Sequence, residues 1–120
     1  MSATGARVFW DLAGAQVEFK RALVLNPSNL LTHVRYAESL TRLKRYEEAI
    51  QETARNLAWD PVSSICHVSR AMIFFRARRY DESIQASQQA LDLDPSNVNA
   101  LWWQGVSYAG KGISLSRLPL

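Results

Sequence analysis

His33, His67 and Cys66 are the side chains best suited by type to hold a metal ion or carry a nucleophile. Their spacing argues against both. The two histidines are separated by one step of a period that runs through most of the chain. If that period is one stacked structural unit, the imidazoles stand about one helix-packing distance apart, roughly 10 Å, too far to share an ion. Both are expected to pack as core residues. No acid or imidazole is arranged to activate Cys66, so an inert buried thiol is expected there. The chain also lacks a glycine-rich phosphate loop. The expectation is a protein without catalytic residues, metal or cofactor, and not an enzyme.

The prolines show the period most clearly. "LNPSN" at 25–29 returns as "LDPSN" at 93–97, with a looser copy, "WDPVS", at 59–63, so that Pro27, Pro61 and Pro95 are equally spaced. A fixed period of about 34 residues marks a stacked repeat. Shifting 30–63 onto 64–97 places Ala37 on Ala71, Leu40 on Phe74, Arg45 on Arg79, Tyr46 on Tyr80, Glu48 on Glu82 and Ile50 on Ile84. The same frame takes in Ala15, Phe19, Ala22 and Leu25 upstream, and Gly105 and Tyr108 downstream.

Within a unit the apolar residues fall at helical spacing, as in Val34, Ala37, Leu40 and Leu43, then Tyr46, Ala49, Ile50, Thr53 and Leu57. Each unit therefore reads as two helices. Lys44-Arg45 and Arg78-Arg79 leave room only for a tight antiparallel turn between them. Between units, Asn or Asp before Pro ends one helix and opens the next. N-cap oxygens can come from Ser28 or Asn29, Ser63 or Ser64, and Ser96 or Asn97. Small residues at Ala37, Ala71 and Gly105, and at Ala15, Ala49 and Ser83, allow the helices to approach closely.

These residues resemble the tetratricopeptide repeat, a pattern of about 34 residues with small, aromatic and proline positions. The positions that carry the resemblance are Ala37, Leu40, Tyr46, Ala49, Asn56 and Pro61, then Ala71, Phe74, Tyr80, Ser83, Ala90 and Pro95. It covers residues from about 11 to 111. His33, His67 and Leu101 replace the family's usual Trp, Tyr36, Arg70 and Gln104 its Leu, and Asn56 a packing Ala, which suggests looser hairpins. The resemblance implies an all-α, right-handed solenoid of antiparallel helical hairpins. One domain, 1–120, is expected, comprising a partial repeat at 1–29, repeats at 30–63 and 64–97, a partial repeat at 98–112 and a divergent tail at 113–120. The opening "MSATGARVF" lacks the pattern of a first helix, and the tail "ISLSRLPL" lacks that of a last one. Repeat arrays need polar caps, so a fragment of a longer array, a truncated product or a protein that buries its ends against a partner is expected.

In such a solenoid the first helix of each hairpin lines the concave face. The resemblance places there Val34, Arg35, Glu38, Thr41 and Arg42, with Leu31. From the next unit come Val68, Ser69, Met72, Phe75 and Arg76, with Ile65, and from the last Trp102 and Val106, with Asn99 and Trp103. One subgroup of the family grips chaperone C-termini with Lys and Asn, but the corresponding positions are Val34 with Glu38 and Val68 with Met72, so that clamp is absent. The face is apolar and suits a helix or extended peptide. Arg42, Lys44 and Arg45 match Arg76, Arg78 and Arg79 in a basic ridge, which Glu47, Glu48, Asp81 and Glu82 are expected to offset.

The 120 residues, 48% hydrophobic and 21% charged with a net charge of +3, have the balance of a globular protein. The lone cysteine excludes an internal disulfide, and no signal peptide or membrane-spanning run is visible, so a cytoplasmic protein is expected. The expected function is a protein-interaction scaffold holding a peptide or helix from another protein in its concave groove. The alternative is a regulatory or oligomerisation segment of a larger signalling enzyme or transcription regulator, self-associating through Trp102 and Trp103 at the open C-terminal end. A third reading, RNA binding, is opposed by the scarcity of paired polar residues on the concave face; neither a membrane nor a nucleic acid is the expected partner.

Overall fold

The computed structural model describes residues 3–26 and 28–112, with side chains from residue 14 onward. Pro27 and the tail 113–120, with the incomplete last hairpin expected there, lie outside the described residues. Six helices follow one another: α1 (Ala3–Leu25), α2 (Leu30–Arg42), α3 (Tyr46–Trp59), α4 (Ser64–Arg76), α5 (Tyr80–Leu93) and α6 (Val98–Gly110). The bounds of α2, α4 and α6 repeat with the period of the prolines, as do those of α3 and α5. The described chain is an all-α array of antiparallel hairpins, and no helix in it is long and apolar enough to cross a membrane.

Punctuation residues explain this regularity. Asn29, Ser63 and Asn97 cap α2, α4 and α6, accepting from the backbone N–H groups of Thr32 at 3.1 Å, Cys66 at 3.3 Å and Ala100 at 3.1 Å. Each cap contributes about 1 kcal/mol. Of the two candidates in each linker, the one that keeps the period is the cap. The helices α3 and α5 have no side-chain cap; Glu47 and Glu48, or Asp81 and Glu82, in their first turns face the positive end of the helix dipole.

The turn inside each hairpin is a left-handed C-cap. Lys44 has φ of 60° and Arg78 of 62°, and Gly112, one period further on, has 79°. In the first two, paired backbone bonds close the helix end. Lys44 N–H donates to Thr41 O and Arg45 N–H to Leu40 O, and Arg78 and Arg79 do the same to Phe75 and Phe74. Only glycine adopts this geometry without strain. Lys44→Gly and Arg78→Gly should therefore each stabilise the protein by about 0.5 to 1 kcal/mol, read from urea unfolding midpoints, whereas Gly112→Ala should not.

At residue 10, in register with Lys44 and Arg78, no turn forms and α1 runs unbroken for 23 residues. The sequence there supplies no polar pair like Lys44-Arg45. The first unit is thus one long helix in place of a hairpin.

The core is built from small-against-large contacts. Ala37, Leu40, Ala49, Met72 and Ile73 form one buried cluster, Ala71, Phe74 and Ala86 a second, and Ala90, Leu91 and Ala100 a third. Asn56, standing where the repeat pattern has Ala, is buried as well. α4 is central, touching α2, α3, α5 and α6, so α2, α4 and α6 lie side by side and present one common face.

Candidate binding groove

The common face of α2, α4 and α6 is concave, with a cleft of about 270 Å³. Leu31, Arg35 and Glu38 form the α2 side; Ile65, Val68, Ser69 and Met72 of α4 form the floor; Asn97, Asn99 and Trp103 close the far side. The volume lies at the lower edge of ligand pockets, enough for a few peptide side chains. Leu31 and Ile65 are more than half exposed although both are large and apolar. Trp103 is fixed from behind by Phe75, whose ring centroid is 5.5 Å away, and Phe75 also packs on Tyr80 at 5.6 Å.

The charges at the rim are satisfied internally. Arg35 Nη1 donates to Glu38 Oε1 at 2.8 Å, one helical turn apart. Exposed pairs of this kind contribute little stability, but they leave the cleft without a net charge to offer. Ser69 is only 5% exposed, and its hydroxyl has no hydrogen-bond partner.

Of the concave residues expected from sequence, Arg35, Glu38, Val68, Ser69 and Met72 line the cleft together with Leu31, Ile65, Asn99 and Trp103. Val34 and Thr41 do not, which corrects the expectation for both. Val34 is 1% exposed and belongs to the core, because α4 packs over that side of α2. Thr41 is buried and accepts from Arg76 Nη1 at 2.9 Å, which ties both residues into the α2–α4 contact. Arg42 is exposed beyond the cleft, Phe75 lies behind Trp103, Val106 is half-buried off the lining, and Trp102 is 63% exposed and stands outside it. The sequence marks Asn97 only as a helix cap, yet it also lines the cleft. Its signal is its place in the linker, two residues before Asn99.

The other residues singled out are structural. His33 meets Trp59 edge-on with centroids 5.3 Å apart. His67 is buried, with Nε2 2.9 Å from the Pro61 carbonyl; donation there leaves Nδ1 as a buried acceptor without a partner. Cys66 is buried, and burial pushes its thiol above the ordinary range. Two members of the basic ridge, Arg45 and Arg79, are paired with acids, as is Lys111 beyond it. Arg45 pairs with Glu48, Arg79 with Glu82 and Glu47, and Lys111 with Asp81. By accepting hydrogen bonds from them, Glu48 and Glu82 hold the Arg45 and Arg79 guanidiniums more firmly charged.

Comparison with known families and folds agrees with this architecture. A family profile described as TPR repeat matches residues 73–112, which run from the last turn of α4 through α5 and α6. No curated protein sequence matches it. Among solved tetratricopeptide structures, MamA from Desulfovibrio magneticus RS-1 superposes with a TM-score of 0.71 at 22% identity, over 88% of this chain and 60% of that one. The first TPR domain of human RPAP3 superposes at 0.74 and 17% identity, over 91% and 87%. The second TPR of Spaghetti (RPAP3), bound to the HSP90 peptide SRMEEVD, gives 0.64 at 24% identity over 73% and 82%. At these identities the likeness concerns the tetratricopeptide fold. The chain spans only 57 to 60% of the length of the MamA chains compared first.

Proposed function

We propose that the protein is a non-enzymatic interaction scaffold whose tetratricopeptide groove holds an apolar peptide or helix face of another protein. The carrying observation is the apolar row of Leu31, Ile65, Val68 and Trp103 along one concave cleft. Such a row suits alternate apolar side chains of a bound segment, with Trp103 as a rigid anchor. Spaghetti's tetratricopeptide domain holds the acidic peptide SRMEEVD. The same kind of ligand is poorly matched here, because the rim offers one arginine already paired with Glu38.

The test is selection from a random peptide library with the intact chain. Binders rich in Leu, Ile, Phe or Met should emerge. They should lose affinity by tenfold or more, about 1.4 kcal/mol, for Ile65→Asp with Val68→Asp, and keep it for Trp102→Asp. Binders that are acidic, or indifferent to the double variant, would sink the groove reading. A second reading, self-association, is favoured by uncovered apolar residues on α6, where Leu101 is 50% and Trp102 63% exposed.

A further inference from the structure

Among the described residues, every buried Ser and Thr hydroxyl has a partner except one. Ser39, Thr41, Thr53 and Ser87 each donate to the carbonyl three residues back in their own helix, and Ser83 and Ser107 bond to each other. Ser69 does neither. It lies on the cleft floor, one helical turn after Ile65 and one before Met72, and so shares the face that the floor presents.

The far side of the cleft adds further unspent capacity. Asn97 commits its side-chain oxygen to the Ala100 N–H and has no bond from its NH2 group, while Asn99 is exposed and its amide bonds to nothing among the described residues. On the α2 side Arg35 and Glu38 satisfy each other. The groove thus combines an apolar row with neutral hydrogen-bonding groups on its floor and far side.

A helix and an extended segment ask different things of such a surface. The backbone groups inside a helix bond to one another, so a helix offers a cleft only its side chains. Seated here, an apolar helix face would leave the Ser69 hydroxyl buried and still unpaired, which is unfavourable. An extended segment carries unpaired N–H and C=O groups along its length, and an apolar cleft holds it only by replacing the water those groups lose.

We infer that the groove takes an extended stretch of another protein, which sets apolar side chains against Leu31, Ile65, Val68 and Trp103 and pairs its main chain with Ser69, Asn97 and Asn99. Ser69 and the Asn97 NH2 group donate to main-chain carbonyls, and Asn99 has a donor and an acceptor for a carbonyl and an N–H. The inference rests on the groove reading and decides between its two occupants. Because these three residues read the backbone, they fix the segment's conformation and leave its sequence free beyond an apolar pattern on alternate residues.

The probe is the tightest linear peptide from the library selection, titrated against the full chain. Replacing a central backbone amide by an ester should weaken binding at one or more positions by about fivefold, the loss of one ordinary hydrogen bond. Ser69→Ala should weaken it by a similar factor, yet leave the urea midpoint of the free chain unchanged or higher, since it removes an unpaired hydroxyl. Helix-promoting α-aminoisobutyrate at central positions should weaken binding too. Esters without effect, Ser69→Ala without effect on binding or with a lowered midpoint, or tighter binding of the helix-promoted peptide would each overturn the extended occupant. The groove reading survives those results if Ile65→Asp with Val68→Asp still abolishes binding. A peptide indifferent to that double variant, or no binder at all, overturns the groove reading and this inference with it.

Discussion

Phe74→Ala should lower the free energy of unfolding by about 3 to 5 kcal/mol, and Leu40→Ala by about 2 to 5 kcal/mol. The two residues occupy the same position in successive units and are at most 2% exposed, each wedged between the helices of its own hairpin. Phe74 has a further role. The guanidinium carbons of Arg70 and Arg79 stand 4.8 and 5.2 Å from its ring centroid, so the ring is the shared neighbour of two cations. Burial lowers the Arg70 pKa, and Arg79 adds like-charge repulsion. Removing the ring therefore costs a packed aromatic and leaves two nearby cations without their common contact. Tyr108, the third member of the series, is only half-buried, and Tyr108→Ala should cost clearly less than either. Urea titrations followed by far-ultraviolet circular dichroism give all three values. A cost below about 1 kcal/mol for Phe74→Ala would mean that the α4–α5 contact is not packed as described.

The second large effect is expected at a buried pair of hydroxyls. Ser83 Oγ donates to the Ala71 carbonyl at 2.7 Å, which commits its only proton. The contact of 2.8 Å with Ser107 Oγ must then be a donation from Ser107 to Ser83. Both side chains are fully buried. Ser83→Ala should cost about 1 to 3 kcal/mol, because it leaves the Ser107 hydroxyl and the Ala71 carbonyl without their partner. Ser107→Ala should cost less than about 1 kcal/mol, because Ser83 keeps its acceptor. The double variant should be no worse than Ser83→Ala alone. A double-mutant cycle in urea measures this directly, and equal costs for the two single changes would contradict the assigned direction of the bond.

Most of the fold could be read from residues that stop and start helices. Asn29, Ser63 and Asn97, the Asp-Pro pairs and the Lys-Arg and Arg-Arg turns act locally, so their meaning survives without a tertiary context. The groove was harder to read because a first helix touches its own partner and its neighbours on both sides. Val34 and Thr41 have the residue types of a concave surface, yet the close approach of α4 covers them. Trp102 and Trp103 are adjacent in sequence and about 100° apart around a helix. Only packing decides that Trp103 enters the cleft while Trp102 stays outside. The unbroken α1 was not legible either, since continuing a helix requires no signal, whereas a hairpin turn does.

The left-handed turns at Lys44 and Arg78 have a consequence for how such a chain can change length. They sit at the same phase, carry nearly the same φ and are followed by the same pair, Arg45-Tyr46 and Arg79-Tyr80. Excising residues 46–79 would join Arg45 to Tyr80 and recreate a seam the protein already contains. Duplicating that segment would do the same in the other direction. Growth or loss by one unit therefore needs no new junction, and the groove can lengthen or shorten in whole steps under recombination while every helix at the seam meets a neighbour of the same phase as the one it lost.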